Sequence, residues 1–144
     1  MKKTRFLPFL LLLLSTGTLS AQSAETGFLN RSISLDGVEY RYQVYVPYNY
    51  TAAEEWPVTL FLHGAGERGS DGLKQTQVGL GRAIRLNPER WQTLAVFPQV
   101  PVGESWQGVA GEVAMAGLDA TIAEFSADAD RLYLTGLSLG GNGT

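Results

Sequence analysis

Ser138 stands in the run Gly136-Leu137-Ser138-Leu139-Gly140, with Gly141 directly after it. A serine hydroxyl becomes a nucleophile only if its oxygen is exposed and a base can reach it, and a tight strand-to-helix turn provides the exposure. Crowding in such a turn demands glycine on either side of the serine. The spacing therefore nominates Ser138 as an acyl-transfer nucleophile, and the amide of Leu139 is then the donor that faces a developing oxyanion. Gly141 offers a small residue where the next helix has to start close to the sheet.

A second oxyanion donor should come from the loop after an earlier strand, and His63-Gly64-Ala65-Gly66-Glu67-Arg68-Gly69 is placed for it. The amide of Ala65 or of Gly66 is the candidate, and the residues do not separate the two. His63 sits with Gly64 at the mouth of a strand, where a histidine is expected to brace the loop through its ring nitrogens and not to act as the general base. Glu67 and Trp106 are candidates for a substrate pocket, with Arg68 as a pairing partner for Glu67 and Trp91 as a core residue. The chain has no cysteine and one histidine, which argues against thiolate or histidine-rich metal sites, so neither metal nor cofactor is expected.

The elements that must position these residues are legible from periodicity. Leu29 to Leu35 and Val38 to Val46 flank an Asp36-Gly37 pair, the signature of a hairpin, and the alternation in the second segment predicts one buried and one wetted face. Val58 to Leu62, Thr93 to Phe97 and Arg131 to Thr135 are short apolar runs of the kind that form strands buried on both faces. Leu73 to Leu86 accommodates a short helix despite Gly79 and Gly81. Ala114, Leu118, Ile122 and Phe125 recur at helical spacing within Val109 to Phe125, which predicts an amphipathic helix, with Asp128 and Asp130 in the turn after it. This alternation implies crossover connections and a mainly parallel sheet led by an antiparallel hairpin, an α/β fold.

Residues 1–21 read as an export signal: Lys2, Lys3 and Arg5, then an apolar run from Phe6 to Leu14, then small and polar residues with cleavage after Ser20 or Ala21. Residues 22–144 are expected to form part of one domain, secreted or periplasmic, with no membrane contact once the leader is gone. Of 11 basic residues three lie in the leader, leaving 8 against 14 acidic ones, a balance of −6 that speaks against a nucleic-acid partner. With 44% hydrophobic and 17% charged residues, the chain has the composition of a folded domain.

Taken together, Leu60 to Gly69 and Asp128 to Gly141 make the chain resemble the front half of the α/β-hydrolase superfamily. It is similar to secreted carboxylesterases and predicted peptidases of the group that includes polyhydroxybutyrate-depolymerase-like and feruloyl-esterase-like enzymes. The resemblance implies that Ser138 is the nucleophile, that Leu139 and the His63-Gly64 loop build the oxyanion site, and that the five strands are the first of the usual eight. It also implies an acid and then a histidine after the serine, yet only six residues follow Ser138. The expectation is therefore a piece of a longer esterase, inactive by itself, with the outer edge of its last strand bare and the isolated product insoluble or partly molten. The substrate would be a small-molecule or polymer-linked ester, with a peptide bond as the alternative.

Two rival classes compete with this reading. Gly64, Gly66 and Gly69 fit a G-x-G-x-x-G fingerprint after a strand, but a dinucleotide site needs a helix opening at the last glycine, and Ser70-Asp71-Gly72 prolongs the loop. Ser70 also stands where nucleotide-hydrolysing loops require lysine. The other rival is a secreted binding module that keeps the scaffold without its chemistry.

Overall fold

The computed structural model describes residues 25–144; the export-signal reading of residues 1–21 lies outside the described residues. Asp36 and Gly37 both adopt positive φ, 50° and 79°, the backbone of a two-residue turn whose twist matches its flanking strands. They fold β1 (Gly27–Leu35) onto β2 (Val38–Val46) without a break in register, from Leu35 opposite Val38 to Gly27 opposite Val46. Beyond the hairpin come β3 (Trp56–Leu62), α1 (Gly79–Leu86), β4 (Leu94–Pro98), α2 (Val109–Glu124), β5 (Ala127–Gly136) and α3 (Leu139–Gly143). The sheet order is β1-β2-β4-β3-β5: β2 pairs antiparallel with β4, while β3 runs parallel to both β4 and β5.

Two apolar clusters line the two faces of the sheet. Tyr42, Val44 and Val46 join Val58, Leu60, Leu62, Val96 and the Ala110, Ala114 and Leu118 stripe of α2. Tyr45, Phe61, Ala95 and Phe97 meet Leu80 and Ile84 of α1, with Trp91 and Phe28 partly buried at the margin. The period of two in β2 thus sorts side chains between two cores. This corrects the expectation of a wetted face: every residue from Tyr42 to Val46 is buried, because β4 closes the open edge of β2 and each face carries a helix. Gln43 is buried with them, and it survives there by donating to Asn30 Oδ1 at 2.8 Å and accepting from Thr76 Oγ1 at 2.8 Å. At the far end of α2, the Arg31 guanidinium holds Glu124 through both carboxylate oxygens and ties the helix to β1.

Asp128 and Asp130 fall inside β5 and not in a turn before it. Between Trp56 opposite Ala127 and Val58 opposite Leu132, β5 spends more residues than β3, so the extra ones bulge outward. There Asp128 accepts from the Asp130 amide at 2.9 Å and pairs with the Arg131 guanidinium. Past the bulge β5 is the edge of the sheet, and Leu132, Tyr133 and Leu134 are 43%, 56% and 50% exposed.

Candidate active site

Two turns leave neighbouring parallel strands at the same level, since Leu62 at the end of β3 pairs with Gly136 at the end of β5. Ser138 occupies the tip of the second turn with φ 52° and ψ −111°, a backbone state that a residue with a Cβ holds only when its surroundings compel it. The surroundings are glycines with no room to spare. A Cβ on Gly136 would overlap the Gly140 carbonyl, and one on Gly140 would overlap the Leu62 carbonyl. Leu137 N–H donates to Leu62 O at 3.0 Å and Gly140 N–H to Leu137 O at 2.8 Å, which closes the turn against β3. Five of the six residues after Ser138 form the short helix α3 (Leu139–Gly143). The small residue that lets α3 approach is not Gly141, where a Cβ meets nothing closer than 3.8 Å, but Gly140, together with Gly143 beneath Trp106.

The serine side chain lies on the exposed surface. Among the described residues neither its Oγ nor the Leu139 N–H has a hydrogen-bond partner. The same is true of the Ala65 and Gly66 amides, on an exposed 3-10 turn, Ala65–Glu67, that follows β3. Gly64 brings this turn to the serine, because a Cβ built on it would lie 3.6 Å from Ser138 Cβ. The elements expected around an oxyanion are thus neighbours in space, although the geometry leaves Ala65 and Gly66 equally open as donors.

His63 is fully buried. Its Nδ1 donates to Gly64 O at 2.6 Å, and its Nε2 accepts the Val100 N–H at 3.0 Å, a pairing that requires the neutral ring. Burial pushes its pKa below the ordinary 6.5. With both nitrogens engaged and no path to solvent, His63 braces the loop and has no lone pair to offer Ser138. Trp106 belongs to the same brace, its indole N–H donating to His63 O at 2.9 Å and its ring meeting the imidazole edge-on at 4.9 Å. Its candidacy for the substrate pocket is therefore corrected: at 7% exposure it is a core residue under the site, held there by the need to satisfy the His63 carbonyl.

Gln99 is a positioning residue that sequence reasoning missed. Its buried amide accepts from Gly72 N–H at 2.7 Å and donates to Glu67 O at 3.0 Å and Asp71 Oδ1 at 3.1 Å, so one side chain holds both ends of the glycine loop. Nothing marked it beyond a polar residue directly after the apolar run of β4. Glu67 is half-buried beside Gly64, and it does not pair with Arg68, whose Nε is buried without a partner. The fingerprint Gly64, Gly66 and Gly69 leads into more loop, and α1 opens only at Gly79, so the helix end that a pyrophosphate would need is not at the glycines. Among the described residues no group of three or more His, Cys, Asp or Glu is arranged to hold a metal ion, and no helix is long and apolar enough to cross a membrane.

No protein-family model matches the chain, and no curated protein matches its sequence. Solved structures do match. The chain is similar to a thermostable esterase at 28% identity and a TM-score of 0.66, over 81% of this chain and 35% of that one. It is likewise similar to a thermostable esterase from Pseudomonas putida ECU1011, at 28% identity and a TM-score of 0.55 over 80% and 35% of the two chains. One of two fungal esterases from Rhizomucor miehei, at 21% identity and a TM-score of 0.56 over 81% and 36%, shares the fold. The fold is that of the α/β-hydrolases, and the chain spans about a third of the length of these esterases.

Proposed function

We propose that this chain carries the nucleophile and oxyanion half of a secreted or periplasmic serine hydrolase that cleaves carboxylic esters. The observation that carries the reading is Ser138, exposed at positive φ in a turn whose glycines Gly136 and Gly140 leave no room for a side chain, and lying beside the Gly64 loop. Ser138 Oγ attacks the ester carbonyl and the amides of Leu139 and of Ala65 or Gly66 take up the charge on its oxygen. The alcohol then leaves with a proton, and water releases the acid and regenerates the serine. The proton needs a base. His63 cannot serve, so a histidine and an orienting acid outside these 144 residues complete the triad, and the 144 residues alone hydrolyse no ester at a measurable rate. Short-acyl or plant-wall esters are the proposed substrates, a peptide bond is the alternative, and no cofactor is needed.

The experiment is labelling of the natural full-length protein with a fluorophosphonate. Wild type takes up one equivalent on Ser138 and Ser138→Ala takes up none, while the 144-residue chain labels far more slowly. An unlabelled full-length protein would leave the non-catalytic binding module as the better reading.

A further inference from the structure

Glu67 is not a free surface carboxylate. Its amide donates to Gly64 O at 3.3 Å, its carbonyl accepts Gln99 Nε2 at 3.0 Å, and two residues on, Gly69 N–H is tied to Val100 O at 2.9 Å. From this fixed backbone the side chain folds back over Gly64. A Cβ built on Gly64 would lie 3.0 Å from Glu67 Oε2 and 3.6 Å from Ser138 Cβ, so carboxylate and nucleophile flank one point above the loop. The ion pairs among the described residues are made by Arg31, Arg41 and Arg131, and none involves Glu67. Its carboxylate accepts no hydrogen bond there either.

A negative charge held beside an oxyanion site opposes the charge that builds in the transition state. The opposition disappears when the substrate itself places a cation against the carboxylate. An anionic substrate meets the same charge as a second repulsion. We infer that Glu67 is a specificity-determining residue that favours esters bearing a cationic group within a few bonds of the scissile carbonyl and rejects esters bearing a carboxylate there. This rests on the ester-hydrolase reading of Ser138.

The cation can sit on the acyl or the alcohol side, and paired isosteres separate the two. On the full-length protein, kcat/KM is measured for protonated glycine ethyl ester against ethyl propionate, for acetylcholine against 3,3-dimethylbutyl acetate, and for monoethyl malonate. With each kcat/KM divided by the ester's own rate constant for hydroxide hydrolysis, at least one cationic ester should exceed its neutral partner by about tenfold or more, and the malonate should be the poorest. In Glu67→Gln the cationic advantage should shrink to about twofold or less, while the neutral esters gain a few-fold. Should that variant not fold, the wild-type preference must still weaken as salt is raised, because the selection is electrostatic. Neutral esters turned over with no charge preference, or a preference that survives both the variant and high salt, would overturn the inference and leave the hydrolase reading standing. Failure to turn over any ester, with Ser138 unlabelled, would sink both.

Discussion

The turn after β3 and the turn after β5 meet at one point but are held by different physics. The first is knitted by buried polar groups: His63 to Gly64 and Val100, Trp106 to His63, Gln99 to Glu67, Asp71 and Gly72. The second has no side-chain bond from Ser138 and is shaped by backbone pressed against backbone at Gly136 and Gly140. A turn built on hydrogen bonds gives way by degrees and responds to protons. A turn built on close approach tolerates one residue type and fails at the first methyl group.

The sharpest way to break the second turn is Gly140→Ala, whose Cβ would overlap the Leu62 carbonyl. We expect it to cost about 3–5 kcal/mol in urea unfolding or to abolish soluble protein. Gly66→Ala, with nothing within 4 Å of the added Cβ, should stay within about 0.5 kcal/mol of wild type. Equal costs for the two would mean that crowding does not hold the serine turn. Breaking the first turn takes less: Trp106→Phe keeps most of the ring but strands the buried His63 carbonyl, an expected loss of about 1–3 kcal/mol in the same assay.

Acid should separate the two turns further. The folded-state pKa of His63 lies below its unfolded value of 6.5, so the unfolded chain binds the proton first. This stabilising contribution is complete above pH 6.5 and is lost as pH falls below it towards the folded pKa. Melting temperature should therefore start to drop below about pH 6.5, and His63→Gln should remove that part of the slope. The backbone amides of Lys74 and Leu73 hold Asp71 below its ordinary 3.8, so its contribution is lost only in a later window, as pH falls below that value. A melt that is flat down to about pH 4 would contradict the His63 brace. Apart from the Gly66 control, the smallest effect is expected at Ser138, the proposed nucleophile, where Ser138→Gly relieves the positive φ and should raise stability by about 0.5–1 kcal/mol while ending labelling.

β3 and β5 extend the comparison to the strands beneath the turns. Both read as buried apolar runs, and β3 is buried by β4, β5 and the helices on its faces. β5 pairs with β3 alone and exposes Leu132, Tyr133 and Leu134. Composition is the same in kind, and only the neighbours differ. For the same reason the wetted face expected of β2 appears at Glu39 and Arg41 but not at Gln43 and Tyr45: alternation distinguishes the two faces of a strand but does not say whether a second helix covers the other one.

The sequence by itself determined the five strands, the hairpin turn, the α2 stripe and the Ser138 turn, because each depends on residues close along the chain. Turn chemistry, strand alternation, helical spacing and the glycine requirement beside a serine are local rules. Tertiary structure alone decided the order β1-β2-β4-β3-β5, the bulge at Asp128–Arg131, the burial of Trp106 and the role of Gln99. It also decided that Glu67 faces Ser138 across Gly64. Each of these joins segments tens of residues apart, where the outcome depends on which buried donor finds which acceptor and which backbone comes close enough to exclude a side chain.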